Sequence, residues 1–473
     1  MKKIFSNLIY NAMYQLFMII VPVITIPYVS RVLGAYYIGD YTYFSSIILF
    51  LGSLIIFGKN QQGVKEIAQS SFANRKQIFY DEWIIQIVAS VPLIIINYVW
   101  FSLVTDSIVF LLYLPYLLSY IFDISWFYIG IGDIKKIILR NTFIKIISIV
   151  FIFIFVKDVS DYSLYILINT FGAFLSNLVF FISLTKYFDN LIPAKIRINR
   201  AYLKESLQLL ISIIAVQIYT NVDKPIVGFL SDSISLAYYS QSQKIARIIL
   251  SVVVSFSTII MPKLAELKGQ GNEKAMITIL KKSLNYTTII SILFTALLIL
   301  NAQDFVPWFF GDEFSPMIID MVISSFLVLF ISVGGVFSSQ YTLANGDYKK
   351  YTIPIVIGAV VNVILLFILT PIFNAVGAIL AIVLTELIIC LSRIFIVKRD
   401  LNIFNIFKDH IIYYISFFIT MFMFMTINFS IISNSFFRMF LRSLSICVVY
   451  LTVIFLFDKN IRSDLKKMKI KKE

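Results

Sequence analysis

Long apolar runs, each near the length of a membrane crossing, alternate with short polar connectors along the whole chain. A helix needs about 20 predominantly apolar residues to cross roughly 30 Å of hydrocarbon. About fourteen stretches meet that requirement. They lie near 8 to 29, 41 to 57, 83 to 103, 107 to 129, 141 to 157, 162 to 184, 207 to 230, 238 to 261, 283 to 302, 317 to 337, 352 to 371, 375 to 397, 411 to 428 and 437 to 457. The connectors are too short to hold a folded soluble domain. The pattern therefore predicts an all-α integral membrane protein with about 14 transmembrane helices.

Charge orients the spans. Lys and Arg fall in every second connector, and about 31 of the 40 basic residues share one side, against about two, Arg31 and Lys157, on the other. That bias predicts cytoplasmic termini at both ends. Met1-Lys2-Lys3 before an apolar run imitates a signal peptide, but the run is too long and lacks a small-x-small cleavage site, so it reads as the first span.

Composition agrees. The chain is 59% hydrophobic and only 14% charged over 473 residues, too apolar for a soluble protein of this length. A net charge of +14 would suggest nucleic acid, but the positive-inside pattern accounts for it, so no nucleic-acid partner is expected. No G-x-x-x-x-G-K-[ST] occurs, which excludes a nucleotide-driven pump of that type, and Gly130-x-Gly132 reads as a span-ending turn. Cys390 and Cys447 lie inside apolar runs, and a disulfide framework is not expected. The only histidine, His410, opens the thirteenth span beside basic residues, which argues against a histidine proton relay. No cofactor and no metal site is expected.

An offset of 197 residues sets the first two spans against the seventh and eighth. Gly39-Asp40-Tyr41 meets Leu236-Ala237-Tyr238, and Val64 to Ala68 meets Met261 to Ala265. Six spans separate the copies, an even number, so the repeat is parallel, and a substrate cavity is expected between the halves. The expected organisation is an N-terminal six-helix bundle over 1–185, a cytoplasmic linker at 186–206 and a C-terminal six-helix bundle over 207–400. Residues 401–473 add two further helices and a basic tail.

Several motifs follow one another in order. Pro22-x4-Pro27-x3-Arg31-Val32-Leu33-Gly34 precedes Gly39-Asp40-Tyr41. Asp123 to Asp133, Asp223-Lys224-x-Ile226-Val227-Gly228, Pro307-x2-Phe310-Gly311 and Leu343-Ala344-Asn345-Gly346-Asp347 come after. Together they resemble bacterial flippases for lipid-linked oligosaccharides of the O-antigen and capsule type, in the multidrug, oligosaccharidyl-lipid and polysaccharide exporter superfamily. The resemblance covers roughly residues 1 to 400. It implies two six-helix bundles in a bacterial cytoplasmic membrane that move undecaprenyl-pyrophosphate-linked glycan from the inner to the outer leaflet. It also implies membrane lipids around the protein and a polysaccharide polymerase as a candidate partner. The third and fifth spans carry no matching motif, which leaves cation coupling open.

Ionisable residues inside the spans carry the candidate chemistry, because each costs about 2.5–3.5 kcal/mol to insert at mid-membrane. Lys244 and Arg247, spaced i, i+3, share a face of the eighth span. With Lys224 on the seventh and Arg31 at the end of the first, they are expected to make a cationic substrate-binding wall. A pyrophosphate supplies the matching anion, at roughly 3 kcal/mol per pair at about 5 Å and an effective dielectric near 20. Against this stand a snorkelling role, strongest for Arg31, and structural ion pairing. Asp123, Asp223 and Glu386 are candidate sites for a proton or sodium ion. Asp123 reads equally as an exit cap, and Glu386 reads equally as a partner for Arg393. Tyr36, Tyr37, Tyr41 and Tyr43, with Tyr238 and Tyr239, read as an aromatic belt at the outer interface rather than a sugar-stacking surface.

Two other classes compete with a carrier. A polysaccharide polymerase or ligase needs acid and base groups on a sizeable outer loop, and the largest, about 303 to 316, offers Asp304, Asp312 and Glu313 without a basic partner. A drug exporter of the same superfamily would favour an acidic cavity for cationic drugs.

Overall fold

The computed structural model of the chain describes residues 2–104, 107–188, 199–427, 429, 431–458 and 461–463. Residues 189 to 198 of the expected linker, with Lys195 and Arg197, lie outside the described residues, as do positions 464 to 473 of the basic tail. All regular structure among the described residues is helical, the form in which a segment in lipid satisfies its own backbone groups. Nine helices there are long and apolar enough to cross a membrane, ten if one bent helix is counted. The chain divides into two compact units, Met1–Gly228 and Phe229–Glu473.

The first unit holds α1 (Lys2–Ile56), α2 (Gln62–Gln69), α3 (Arg75–Val104), α4 (Ser107–Ser119), α5 (Ser125–Gly130), α6 (Ile134–Phe155), α7 (Tyr162–Ile182), α8 (Arg200–Thr220) and the start of α9 (Asp223–Leu230). The first two expected spans are joined in α1, whose only non-helical residue is Gly34 at φ 75° and ψ 175°. Residues 30 to 40 contain no proline, and helix persists to either side of Gly34. Glycine takes the positive φ without a Cβ clash.

The fourth expected span behaves differently. Helix α4 ends at Ser119 and the chain does not become helical again until α5. The carbonyls freed in that break are satisfied from α3. Gln86 Nε2 donates to the carbonyls of Tyr120 at 2.5 Å and Asp123 at 3.2 Å, and Trp83 Nε1 donates to that of Ile121 at 2.8 Å. Irregular backbone is tolerable at such depth only where protein covers it. The core around the break is aromatic: Phe79, Trp126, Phe127, Tyr128, Phe180 and Phe188 pack as one cluster.

The second unit holds α10 (Ser233–Gly269), α11 (Glu273–Phe310), α12 (Ile318–Ser324), α13 (Phe326–Gly335), α14 (Tyr348–Val397), α15 (Ile403–Phe407), α16 (His410–Thr426) and α17 (Ser435–Phe457). Side-chain caps open several of them. Asp232 accepts from the Ser235 N–H at 2.8 Å, Asn272 from that of Ala275 at 3.2 Å and Asp347 from that of Lys350 at 3.1 Å, each satisfying a donor the helix start leaves orphaned. Between α13 and α14 the chain passes through a π-helical segment, Val336–Thr342, that buries Ser338 and Gln340.

Helix α14 combines the eleventh and twelfth expected spans around Asn374, at φ 50° and ψ −126°. Asparagine tolerates positive φ better than most residues. Just beyond it the chain turns close against itself. A Cβ on Gly377 would come within 2.1 Å of the Leu369 carbonyl oxygen, and backbone cannot yield as a side chain does. Gly377→Ala should therefore lower stability by about 1–3 kcal/mol as overpacking, read as a drop in melting temperature of the purified protein. An unchanged melting temperature would show that the turn opens freely.

The last two spans pack on α11. Tyr413, Tyr450 and Ile454 join Ile289 and Ile292 in one core cluster. Asn301 Nδ2 donates to Ser443 Oγ at 3.1 Å, and Lys281 pairs with Asp409 at 3.0 Å. Asp304 receives Arg438 and Arg442 of α17, each at 2.8 Å. This corrects the reading of Asp304 as an outer-loop carboxylate without a basic partner. It is still on helix α11, and its partners lie too far along the chain for spacing to reveal them. The tyrosine belt is corrected in part as well: Tyr36 is exposed, whereas Tyr239 is fully buried and Tyr41 stacks against Tyr113.

Candidate functional site

The expected site residues divide between the two units, Arg31 and Lys224 in the first and Lys244 and Arg247 in the second. Arg31 is exposed on α1, three residues before the Gly34 kink. Lys224 and Asp223 form an ion pair at 3.4 Å at the start of α9. The carboxylate is buried and the lysine is about one quarter exposed. The anion is thus inside the protein and the cation at its margin.

On α10 the i, i+3 spacing does what helix geometry requires. Lys244 and Arg247 are both exposed, whereas Gln241, Ser242, Ile245 and Ala246 around them are buried. Gln243, also buried, accepts from Arg247 Nε at 3.3 Å, which fixes the root of the guanidinium. Two cations side by side on one exposed face of α10 can hold a multivalent anion. Arginine contributes directed donors and lysine a compact charge.

The three acids occupy different settings. Asp123 accepts from the Ser125 N–H at 3.0 Å and its hydroxyl at 2.6 Å, closing the turn into α5, while Arg140 donates to the same Ser125 hydroxyl at 3.4 Å. Asp223 is committed to Lys224. Glu386 is buried on α14, and Arg393, seven residues on, lies against Gly334 of α13 with a buried Nε that has no hydrogen-bond partner.

Several ionisable groups escaped the sequence reading. Lys59, expected in an inner connector, is wholly buried. Its ammonium pairs with Glu82 of α3 and donates to Ser206 Oγ of α8 at 2.9 Å. Ser206 in turn donates to Gln62, whose amide reaches the Tyr202 carbonyl at 3.0 Å. Burial pushes the lysine below its ordinary pKa, and the Glu82 carboxylate works against that shift. Lys65 and Glu205 at 3.1 Å continue the same α2 to α8 contact outward, and there the carboxylate hydrogen bond raises the Lys65 pKa. Asp320 on α12 is buried with one carboxylate oxygen lacking a partner, and Lys145 lies within α6. Asp320 and Lys145 were visible as charges inside apolar runs. The Lys59 pair was not, because its partner stands 23 residues away across a turn.

Near the start of α14 a polar cavity of about 380 Å³ is lined by Lys268, Glu273, Tyr341, Asn345, Lys350 and Asp400, among others. Its charges are mutually paired. Lys350 meets Asp347 at 3.3 Å and Asp400 at 2.6 Å, and Lys268 meets Glu273 at 2.9 Å.

Comparison with known proteins adds the lineage. A profile of the family described as polysaccharide biosynthesis protein matches residues 4–268, and one described as lipid II flippase MurJ matches 139–461. A putative O-antigen transporter of Escherichia coli (strain K12) is 22% identical over 405 residues, 83% of this chain and 96% of that protein. One of Shigella dysenteriae is 21% identical over 388 residues, 80% of this chain and 96% of that protein. Among solved structures, lipid II flippase MurJ in an inward closed conformation superposes with a TM-score of 0.76 at 17% identity, over 96% of this chain and 99% of that one. An inward-facing multidrug resistance MATE family transporter of the MOP superfamily gives 0.57 at 16% identity, over 82% and 99%. At such identities the structures speak to the fold.

Proposed function

Because the chain belongs to the polysaccharide biosynthesis protein family, within the MOP superfamily of multi-pass membrane transporters, we propose that it flips undecaprenyl-pyrophosphate-linked oligosaccharide from the inner to the outer leaflet. The protein sits in the bacterial cytoplasmic membrane with both termini inside, as the distribution of basic connectors supports. The pyrophosphate and glycan cross along a cationic wall while the polyprenyl tail stays in lipid, and the two halves expose that wall first to one side and then to the other. The observation that carries this reading is the pair Lys244 and Arg247, exposed together on one face of α10.

Energetics favour the direction. With the interior negative, outward movement of an anion is helped by about 2.3 kcal/mol per charge per 100 mV. Returning protons or sodium ions would use Asp223, Asp123 or Glu386, of which Asp223 is already matched by a lysine. The relatives named above are transporters and flippases rather than enzymes, and the twofold arginine clasp on Asp304 leaves a polymerase reading without its best acid.

The test is leaflet accessibility of lipid-linked glycan in cells depleted of the protein. Accumulation of unexported glycan on the inner leaflet is expected, and restoration on re-expression. Normal outer-leaflet exposure throughout depletion would remove the proposal.

A further inference from the structure

One helix of the first unit carries a charge in an unusual place. At 3.6 residues per turn, Ile138, Asn141, Lys145, Ser148 and Ile152 form a single stripe along α6. Ile138, Ser148 and Ile152 are buried, and Asn141 and Lys145 are half-buried. The opposite face, Leu139, Phe143, Ile146, Val150 and Ile154, is exposed. Lys145 is therefore at the centre of the inward face, not on the face that would meet lipid. Helices α1 and α7 pack against α6. A Cβ on Gly172 of α7 would come within 2.8 Å of Ser148 Oγ, and the Tyr28 hydroxyl of α1 donates to the Val156 carbonyl at 2.6 Å.

Among the described residues no anion answers this cation. Among the described residues Lys145 has no ion pair or hydrogen bond to a carboxylate. The sequences of α6 and α7 contain no Asp or Glu, and α1 has none before Asp40. Lys145 is about 6 Å along the helix from residue 141, where the apolar span begins, at 1.5 Å per residue, but it stands on the inward stripe and not on the face that would let its chain snorkel through lipid. A proton relay through it would need a second titratable group on the facing helices, and neither α7 nor α1 before Asp40 offers a carboxylate for it.

We propose that Lys145 is a binding residue for a phosphate-type anion, which enters beside the inward face of α6 and supplies the missing counter-charge. The inference rests on the flippase reading above and adds to its exposed cations a recognition point inside the first unit. The half-exposure of Lys145 gives the anion its access, and Asn141, one turn away on the same stripe, offers an amide donor alongside.

Full-length protein in phosphatidylcholine nanodiscs, titrated with undecaprenyl pyrophosphate, undecaprenol and inorganic pyrophosphate, provides the test. The wild type should bind undecaprenyl pyrophosphate and not undecaprenol. Lys145→Gln should weaken binding about tenfold or more, while Lys145→Arg should stay close to wild type. Competition by inorganic pyrophosphate would assign the site to the phosphate alone, and lack of competition would assign it to the lipid-borne group. Wild-type affinity in Lys145→Gln would overturn the inference while leaving the flippase reading intact. Failure of the wild type to bind undecaprenyl pyrophosphate would strike the flippase reading itself. Protection of Lys145 against an amine-acylating reagent, mapped by mass spectrometry on unmutated protein, needs no variant to fold. Undecaprenyl pyrophosphate should protect and undecaprenol should not, and equal acylation with both would likewise overturn the inference.

Discussion

Glu82→Ala is expected to destabilise the protein by about 3–5 kcal/mol, because it strands the Lys59 ammonium without its carboxylate in a fully buried setting. The loss should be read as a collapse of monodisperse protein in detergent and a lower melting temperature. Ser206 still accepts one hydrogen bond from the lysine, which softens the loss but does not replace the charge. Lys59→Met combined with Glu82→Leu removes both charges and should recover most of the stability, since a buried pair is often replaceable by apolar residues of similar volume. Wild-type stability in Glu82→Ala alone would mean that water reaches the site and the pair is not a dry one.

Export should fall to background when Lys224, Lys244 and Arg247 are neutralised together to Gln. Each charge-assisted contact to a pyrophosphate is worth about 2–5 kcal/mol on removal, roughly thirtyfold or more in affinity. The structure refines how the experiment is built. Lys244 and Arg247 are exposed, so their loss should leave protein abundance unchanged. Lys224 faces the buried Asp223, so Lys224→Gln alone should lower abundance as well, and adding Asp223→Asn should restore it. Abundance and surface glycan measured side by side separate folding from transport. Full export in the stable neutralised protein would dispose of the cationic-wall mechanism.

Most of the fold was legible because the bilayer imposes it. Run length alone located helices α3, α6, α7, α11, α16 and α17 near their observed positions. Boundaries failed where the turn formers, Gly34, Gly39 and Asp40 in one connector and Pro371 and Asn374 in another, produced a kink in place of a loop. The connector at 30 to 40 stayed helical around Gly34, and the one near 371 to 375 shrank to a kink at Asn374. The reverse happened at 120 to 124, where an apolar run broke because Gln86 and Trp83, over thirty residues away, offered its carbonyls better partners.

The candidate site was legible by a different rule. A charge inside an apolar run is conspicuous, and that is what singles out Arg31, Lys224, Lys244 and Arg247 as candidates. Lys145 and Asp320 obeyed the same rule and were passed over. Partners are another matter. That Lys59 meets Glu82, or that Asp304 meets two arginines of the last helix, depends on side chains brought together by tertiary packing. No local spacing encodes it.

The clasp of Asp304 also bears on how the chain is made. Arg438 and Arg442 occupy the first turns of α17, where guanidinium groups oppose partition into hydrocarbon by up to about 2.5–3.5 kcal/mol each, depending on depth. Their carboxylate partner is translated 134 and 138 residues earlier, so it is already in the membrane when α17 leaves the ribosome. Insertion of the last helix is thereby tied to a receiving surface formed beforehand. A chain whose α11 is misplaced offers α17 no counter-ion and leaves it without a receiving surface in the bilayer.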